Sequence, residues 1–127
     1  MPPTTLEQFD ALVKTELQRL ASLPVNWDSE GAYPVAIEII DAARRLISRL
    51  PSGLKSQIPV PAVVPMRKGN LQFEWHKGPK TLELEIESPS TIHYLKWHPE
   101  IGVEEEDVCA VADLRFVTAL IEWFAEE

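Results

Sequence analysis

The sequence predicts an α+β domain in which helices cover one face of an antiparallel sheet. Two amphipathic segments, with apolar residues spaced three and four apart, lie in the N-terminal part of the chain, and a third lies near its C-terminal end. Between them, segments that alternate apolar and polar residues are joined by short turn sequences, as in neighbouring antiparallel strands. The expected order is two helices, a three- to four-stranded meander and a C-terminal helix packed on one sheet face.

A length of 127 residues is typical of one domain, so residues 1–127 are expected to form a single α+β unit. Cys109 is the only cysteine, which excludes an intrachain disulfide and any metal site that needs a cysteine pair. No apolar run approaches the roughly 20 residues that span a bilayer, so a cytoplasmic protein without a membrane partner is expected. The expected parts are a helical hairpin (1–53), a proline-rich arm (54–66), a β-meander (67–98) and a C-terminal helix (108–127).

The first two helices follow from apolar spacing and from the positions of prolines. Thr5 and Gln8 fit a capping box at the start of the first helix, and Pro24 ends that helix. Pro34 is expected in the first turn of the second helix, where proline is tolerated. The predicted apolar stripes are Leu6, Phe9, Leu12, Val13, Leu17 and Leu20 in the first helix, and Ile37, Ile39, Ile40, Ala43, Leu46, Ile47 and Leu50 in the second.

The segment after the helical hairpin changes to an extended pattern. Its prolines Pro59, Pro61 and Pro65 permit only an edge strand or an extended arm. The strands LQFEWH, TLELEIE and TIHYLKW follow, and the first two alternate cleanly between an apolar face and a polar face that is expected to stay in water. The apolar face contains Leu71, Phe73, Trp75, Leu82, Leu84 and Ile86, and the polar face contains Gln72, Glu74, His76, Glu83, Glu85 and Glu87.

The last helix is expected to follow an acidic run, which we define as Glu104, Glu105, Glu106 and Asp107. Negative side chains before a helix complement the positive end of its dipole, so the run is predicted to be a solvated cap or, alternatively, a docking patch. Cys109 would then lie at the start of the helix, where a thiol can be reactive but is more often a small buried apolar group. The predicted apolar stripe is Leu114, Phe116, Val117, Leu120, Ile121, Trp123 and Phe124.

The connector PVNWDSEGAYP between the first two helices is rich in turn residues. Asn26 and Asp28 are expected to bond back to the backbone of this loop, and Gly31 is expected to supply a positive φ. Trp27 is predicted to be mostly buried between the helices and the sheet. This interpretation makes the loop an ordered joint, and the alternative is a carboxylate site formed by Asp28, Glu30 and Glu74.

The loop and the first strand together resemble a family of small bacterial proteins of unknown function. Its members have an Asn-Trp-Asp-x-x-Gly-Ala loop between two helices, then a proline arm and a hairpin whose first strand ends in Gln-x-Glu-Trp. The resemblance covers about half of the chain and implies the same fold, with a structural role for the shared residues and no known activity. The matching positions are Asn26, Trp27, Asp28, Gly31, Ala32, Pro65, Gly69, Gln72, Glu74 and Trp75.

The glutamates of the second strand suggest two different roles. Glu83, Glu85 and Glu87 share a face and lie about 7 Å apart along the strand. With Glu74 and His76 on the neighbouring strand, Glu83 and Glu85 form a candidate Mg²⁺ or Mn²⁺ site, which would suit a small metal-dependent hydrolase or nuclease. His93 is a further candidate ligand for this site. The alternative is a solvated face, with lysines paired across the strands. The candidate lysines are Lys77, Lys80 and Lys96.

Charge favours a protein partner over nucleic acid. The formal net charge is −8, and residues 67–127, with six basic and thirteen acidic side chains, contribute −7 of it. Phosphate backbones need clustered Lys and Arg, so no direct nucleic-acid binding is expected. No catalytic motif or cofactor site is recognised, and solubility alone is an alternative reason for the acidity. The predicted partner-binding residues are Glu83, Glu85, Glu87 and the acidic run.

These observations predict a non-enzymatic interaction module of the bacterial cytoplasm, of the antitoxin, immunity or defence-accessory kind, whose partner has a basic surface. The metal-dependent hydrolase is the first alternative. The second is a structural subunit of a larger complex, held through the proline-rich arm or through a sheet edge.

Overall fold

The α+β fold is confirmed by a computed structural model that describes residues 6–126. Thr5 of the predicted capping box lies outside the described residues. No helix within the described part of the chain is long and apolar enough to cross a membrane. The helices are α1 (Leu6–Ala21), α2 (Ile37–Arg49), the short α3 (Ser52–Lys55) and α4 (Leu114–Ala125), and the strands are β1 (Ala62–Pro65), β2 (Leu71–Lys77), β3 (Lys80–Ile86), β4 (Thr91–His98) and β5 (Val103–Ala110).

The strands form one antiparallel meander in the order β1-β2-β3-β4-β5. The sheet therefore has one strand more than the upper limit of the predicted three to four strands. Within the predicted proline-rich arm, residues 62–65 form the edge strand β1, which was one of the two expected conformations. The strand that was missed is β5, which contains the whole acidic run.

The acidic run is not a helix cap, because α4 begins only at Leu114 and not near residue 108. The residue that caps α4 is Asp113, whose carboxylate accepts a hydrogen bond from the backbone N–H of Phe116 at 3.2 Å. Four consecutive acidic residues argue against a strand by propensity alone. At the edge of a sheet they are tolerated, because both faces of the strand reach water.

The core lies between the helices and one face of the sheet, which we call the inner face. Four residues of α1 are buried there, together with one side of α2 and one side of α4. Trp75 is 1% exposed, packs beside Phe73 and Phe124, and donates its indole N–H to the carbonyl of Pro59 at 2.9 Å. The predicted apolar sheet face is thus confirmed as the inner face, and Ile92 and Tyr94 of β4 extend it.

The predicted helix stripes are too wide at their margins. Leu6, Leu12, Ile37 and Phe116 are exposed, while their neighbours on the same helices are buried. An apolar residue at the margin of the stripe, rotated around the helix axis away from its centre, reaches the rim of the core and not its centre. Pro34 is also outside α2, which begins at Ile37 after the cap residue Ala36.

Candidate binding face on the outer side of the sheet

The side of the sheet that faces away from the helices is a candidate functional surface, which we call the outer face. Residues directly opposite each other on paired strands share a face, so the strand register assigns its members. Glutamates are its most frequent side chains, accompanied by two histidines and one tryptophan. Its residues are Ala62, Val64, Gln72, Glu74, His76, Thr81, Glu83, Glu85, Thr91, His93, Leu95, Trp97, Glu104, Glu106, Val108 and Ala110, and Glu87 follows at the end of β3.

The expected pairing of these glutamates with strand lysines is wrong. Lys77, Lys80 and Lys96 are the only basic residues of the Lys and Arg type in the five strands, and all three lie on the inner side. Lys80 and Lys96 lie over the Trp123 ring, with Nζ at 4.8 and 5.0 Å from its centroid. Lys77 lies over the Phe124 ring at 5.4 Å. The six carboxylates of the outer face therefore have no strand lysine or arginine beside them.

Like charges lie directly opposite each other in the middle of this face. Glu74 of β2 and Glu83 of β3 are register partners. Glu74 has partners of its own, since it accepts a hydrogen bond from Gln72 Nε2 at 2.7 Å and lies 3.6 Å from His76 Nε2. Partial burial raises the pKa of Glu83, and the negative charges of Glu74, Glu106 and Glu85 raise it further, against a smaller opposing effect of His76.

A second group surrounds His93. Its Nε2 lies 3.0 Å from the Glu106 carboxylate, and its Nδ1 lies 3.8 Å from the Glu85 carboxylate. The other oxygen of Glu85 accepts a hydrogen bond from the side-chain amide of Asn70. The imidazole is therefore held between carboxylates of the two neighbouring strands, β3 and β5.

One part of this group has the spacing of metal ligands. Among the residues that the structure describes, Glu85, Glu87 and His93 form the one set of three in which a ligand atom of each residue lies within 4.8 Å of the others. The predicted set of Glu74, Glu83, Glu85 and His76 is therefore not the group that converges, and only Glu85 belongs to both. Sequence reasoning named His93 only as a possible additional ligand and did not place it beside Glu85, because the register of β4 against β3 was not predicted.

Exposed apolar side chains lie among the carboxylates. Trp97 is 42% exposed and stands opposite Glu104, while Val108 is 54% exposed and stands opposite His93. Leu95, partly buried, lies between Glu83 and Glu106. Trp97 was not singled out from the sequence, although its place two residues after Leu95 was a usable signal for the same face.

The acidic run is divided between the two faces of β5. Glu104 and Glu106 point to the outer face, and Glu105 and Asp107 point to the other side. Tyr94 donates its hydroxyl to Glu105 at 2.8 Å, and burial together with this carboxylate raises the pKa of Tyr94 to about 12. The predicted docking patch is therefore an edge strand, of which half belongs to the outer face.

The thiol of Cys109 lies partly buried on the inner side of β5 and not at a helix N-terminus. Burial raises its pKa to about 11, and the nearby carboxylates of Asp113 and Asp107 contribute in the same direction. The thiol is therefore protonated near neutral pH, which removes the thiolate that nucleophilic chemistry needs. Cys109 therefore acts as a small apolar side chain that packs against the core.

The joint between α1 and α2 has the predicted turn chemistry. The Asp28 carboxylate accepts from the backbone N–H groups of Glu30 and Ala32 at 2.9 and 3.0 Å, and Gly31 has a φ of 86°. Asn26 Oδ1 accepts from the Gly31 N–H at 2.6 Å. The predicted backbone bonding of Asp28 is thus confirmed.

The predicted burial of Trp27 is met in part, but its predicted place between the helices and the sheet is wrong, because Trp27 does not belong to the core. Trp27 is half-buried, and its indole N–H donates to the Tyr33 carbonyl at 2.8 Å, which keeps the ring within the joint. The large buried tryptophan of the core is Trp75 instead. The Tyr33 carbonyl is a hydrogen-bond acceptor within the loop, so the indole N–H of Trp27 does not require an acceptor in the core.

The joint is attached to the turn between β1 and β2 and not to the outer face. Arg67 in this turn pairs with the Asp28 carboxylate at 2.9 Å and donates to the Glu30 carbonyl. Partial burial opposes ionisation of Asp28, but the two backbone N–H groups and Arg67 outweigh it and lower the pKa of Asp28. The contacts of Glu74 are with Gln72 and His76, so the alternative site of Asp28, Glu30 and Glu74 is not assembled by these contacts.

Comparison with known proteins adds no relative: no family model, curated protein or solved structure matches this chain. The resemblance to the family with the Asn-Trp-Asp loop stays a prediction.

Proposed function

We propose that this chain is a non-catalytic interaction module that binds the basic surface of a partner protein through the outer face. The observation that carries the proposal is the separation of charge in the sheet. All three strand lysines lie on the inner side, where they contact α4, and the outer face keeps its carboxylates without them. Cations supplied by a partner would complete this surface.

The energetic cost of placing two glutamates opposite each other on the outer face supports a role of this face in binding. Like charges directly opposite each other on neighbouring strands destabilise a sheet, and Glu74 and Glu83 are such a pair. Folding alone gives no reason to place them there. A surface that is complementary to a basic partner gains association rate and specificity from the same charges.

The outer face also has exposed apolar side chains, which can contribute to binding in addition to its charge. Trp97 stands opposite Glu104 on β5 and Thr81 on β3, and diagonally across from Glu83 and Glu106, so glutamates occupy three of the positions next to it. Tryptophan is enriched among the residues that contribute most to binding energy, and its ring face also attracts cations. An arginine-rich segment has both the charge and the flat guanidinium that this combination suits.

Two variants with the same net charge test the proposal. The face variant carries Glu74→Gln, Glu83→Gln and Glu104→Gln, and the control carries Glu7→Gln, Glu38→Gln and Glu122→Gln on the exposed sides of α1, α2 and α4. The probe is a short arginine-rich peptide, followed by NMR chemical-shift changes. We expect shifts on the outer face in the native chain and the control, and at least tenfold weaker binding in the face variant. Equal binding by both variants, or shifts on the helices, would contradict the proposal.

The biological class stays a prediction. An antitoxin, immunity or defence-accessory role fits a small acidic module with a basic partner, and the same surface suits a subunit of a larger complex. Capture from the native host by the control variant but not by the face variant, followed by identification of the captured protein, separates these classes. A toxin or nuclease would support the first class, and a stable assembly partner would support the second.

A further inference from the structure

One end of the outer face contains four potential metal ligands on neighbouring positions. Glu85 and His93 are register partners on β3 and β4. Glu87 lies two residues further along the chain, where its backbone N–H bonds to the carbonyl of Thr91 at 3.0 Å. Asn70 comes directly before β2, one position beyond the pair of Leu71 and Ile86 and therefore opposite Glu87. The ligand atoms of Glu85, Glu87 and His93 lie within 4.8 Å of one another.

Asn70 supplies an independent observation that points to a ligand. Its residue is only 8% exposed, and its amide reaches the Glu85 carboxylate through Nδ2. The Oδ1 atom of the same amide is buried and has no hydrogen-bond donor among the described residues. A buried acceptor without a partner is rare, because its desolvation destabilises the folded protein. A cation beside Glu85 would give this oxygen a partner.

The contacts of His93 also fit metal ligation. Its Nε2 lies 3.0 Å from the Glu106 carboxylate, while its Nδ1 faces Glu85 at 3.8 Å. A histidine that binds metal usually donates its other ring N–H to a carboxylate, which orients the ring and raises its basicity. With the proton on Nε2, the free lone pair is on Nδ1, on the side of Glu85. The separation of 3.8 Å exceeds a hydrogen bond and is near that of two ligands on one ion, each about 2.1 Å from it.

We propose that Asn70, Glu85, Glu87 and His93 bind one divalent transition-metal ion, with Glu106 positioning the imidazole. The donors are one imidazole nitrogen, two carboxylates and one amide oxygen. Imidazole favours Zn²⁺ and its neighbours over Mg²⁺ and Ca²⁺, which prefer oxygen ligands alone. Glu87 is exposed, so the ion is accessible from solvent on that side. This proposal does not depend on the proposed protein partner.

The test uses Zn²⁺ and Mn²⁺ alone, added to metal-free protein of the full chain. Calorimetry should give one ion per chain, and the melting temperature should rise with metal concentration because only the native state holds the four ligands together. Mn²⁺ should broaden NMR signals around His93 first. The variants His93→Ala and Glu87→Gln should each weaken binding at least about tenfold, and Glu106→Gln should weaken it by about 10- to 100-fold with the stoichiometry unchanged.

A matched control is present on the same face. His76 and Glu74 form another histidine–glutamate pair, at 3.6 Å, outside the proposed site. The double variant His76→Ala with Glu74→Gln should bind both metals as the native chain does. Three results would overturn the proposal. The first is loss of metal binding in this control, and the second is Mn²⁺ broadening centred on the acidic run. The third is a rise in melting temperature with Mg²⁺ that is equal in the native chain and in His93→Ala. Glu87→Gln, at an exposed position, keeps the test valid if another variant fails to fold.

Discussion

The same strands form both faces of the sheet, but the two faces differ in how their polar side chains are paired. On the inner face, large polar side chains bond to the protein itself: Lys80 donates to carbonyls at the end of α4, and Trp75 donates to Pro59. On the outer face, glutamates lie opposite one another and Trp97 is exposed. The inner face is explained by folding. The outer face is not explained in this way, which is why we propose that a partner binds there.

The largest expected difference between the faces is the cost of losing a tryptophan. Trp75→Ala removes a fully buried ring and should lower the free energy of unfolding by about 3–5 kcal/mol. Trp97→Ala removes an exposed ring and should change it by about 0.5 kcal/mol or less. Urea unfolding of both variants checks this. Similar losses for both would mean that the outer face is part of the folding core.

The next effect concerns the lysines of the inner face. Lys80 donates to the Trp123 and Glu126 carbonyls at 2.6 and 2.7 Å, so Lys80→Met leaves the C-terminal end of α4 short of donors. Burial lowers the pKa of Lys80, and nearby Lys77 adds to this effect, so desolvation offsets part of the gain. We therefore expect a loss of about 1 kcal/mol, at the low end for a buried hydrogen-bonding group. Lys68→Met, in the exposed turn, is the control, and an equal loss there would contradict the assignment.

A smaller effect, of opposite sign, is expected on the outer face. Glu83→Gln removes one member of the like-charge pair with Glu74 and should stabilise the protein at neutral pH by about 0.5 kcal/mol. Glu83 has a raised pKa in the folded state, so native Glu83 contributes stability below its ordinary value of 4.5 and loses it as pH rises through the raised value.

The advantage of the Glu83→Gln variant should therefore grow as pH rises through that range and then stay constant. Thermal melts of both proteins between acidic and neutral pH measure it. A variant less stable than the native chain at neutral pH would show that Glu83 is compensated within the protein. Glu85→Gln is a poor substitute here, because it also replaces the charged acceptor of the Asn70 amide by a neutral one.

The structural features that could be predicted from the sequence are those determined by residues close together in the chain. The alternation of Leu82, Leu84 and Ile86 with glutamates fixed the inner face of β3, because side chains of a strand alternate between its faces. The backbone bonds of Asp28 followed from turn chemistry. Both depend only on residues a few positions apart.

The features that did not follow depend on register between strands. The approach of His93 to Glu85 and Glu106 requires the pairing of β3, β4 and β5, which no local pattern specifies. Likewise, the side taken by Lys96 is set by its pairing with Leu82. β5 was missed because its four acidic residues have low strand propensity, and only its position at the edge allows them.

The smallest expected change in stability concerns that edge. The acidic side chains of β5 are exposed, so replacing Glu104, Glu105 and Glu106 by Gln and Asp107 by Asn should alter the free energy of unfolding by less than about 1 kcal/mol. Charges on an edge strand do, however, oppose pairing with a strand of another molecule. At the opposite edge, Pro65 and the hydrogen bond from Arg19 to the Val63 carbonyl restrict β1 instead.

Neutralisation should therefore make the protein self-associate through β5 while leaving it folded. Sedimentation over a concentration series measures the association, and the native chain and the helix control with Glu7→Gln, Glu38→Gln and Glu122→Gln should both sediment independently of concentration. Of the acidic run, only Glu104 and Glu106 lie on the outer face that we propose binds a basic peptide, so restoring these two should recover binding without removing all self-association. A neutralised chain that remains monomeric would show that the charges of β5 serve binding alone.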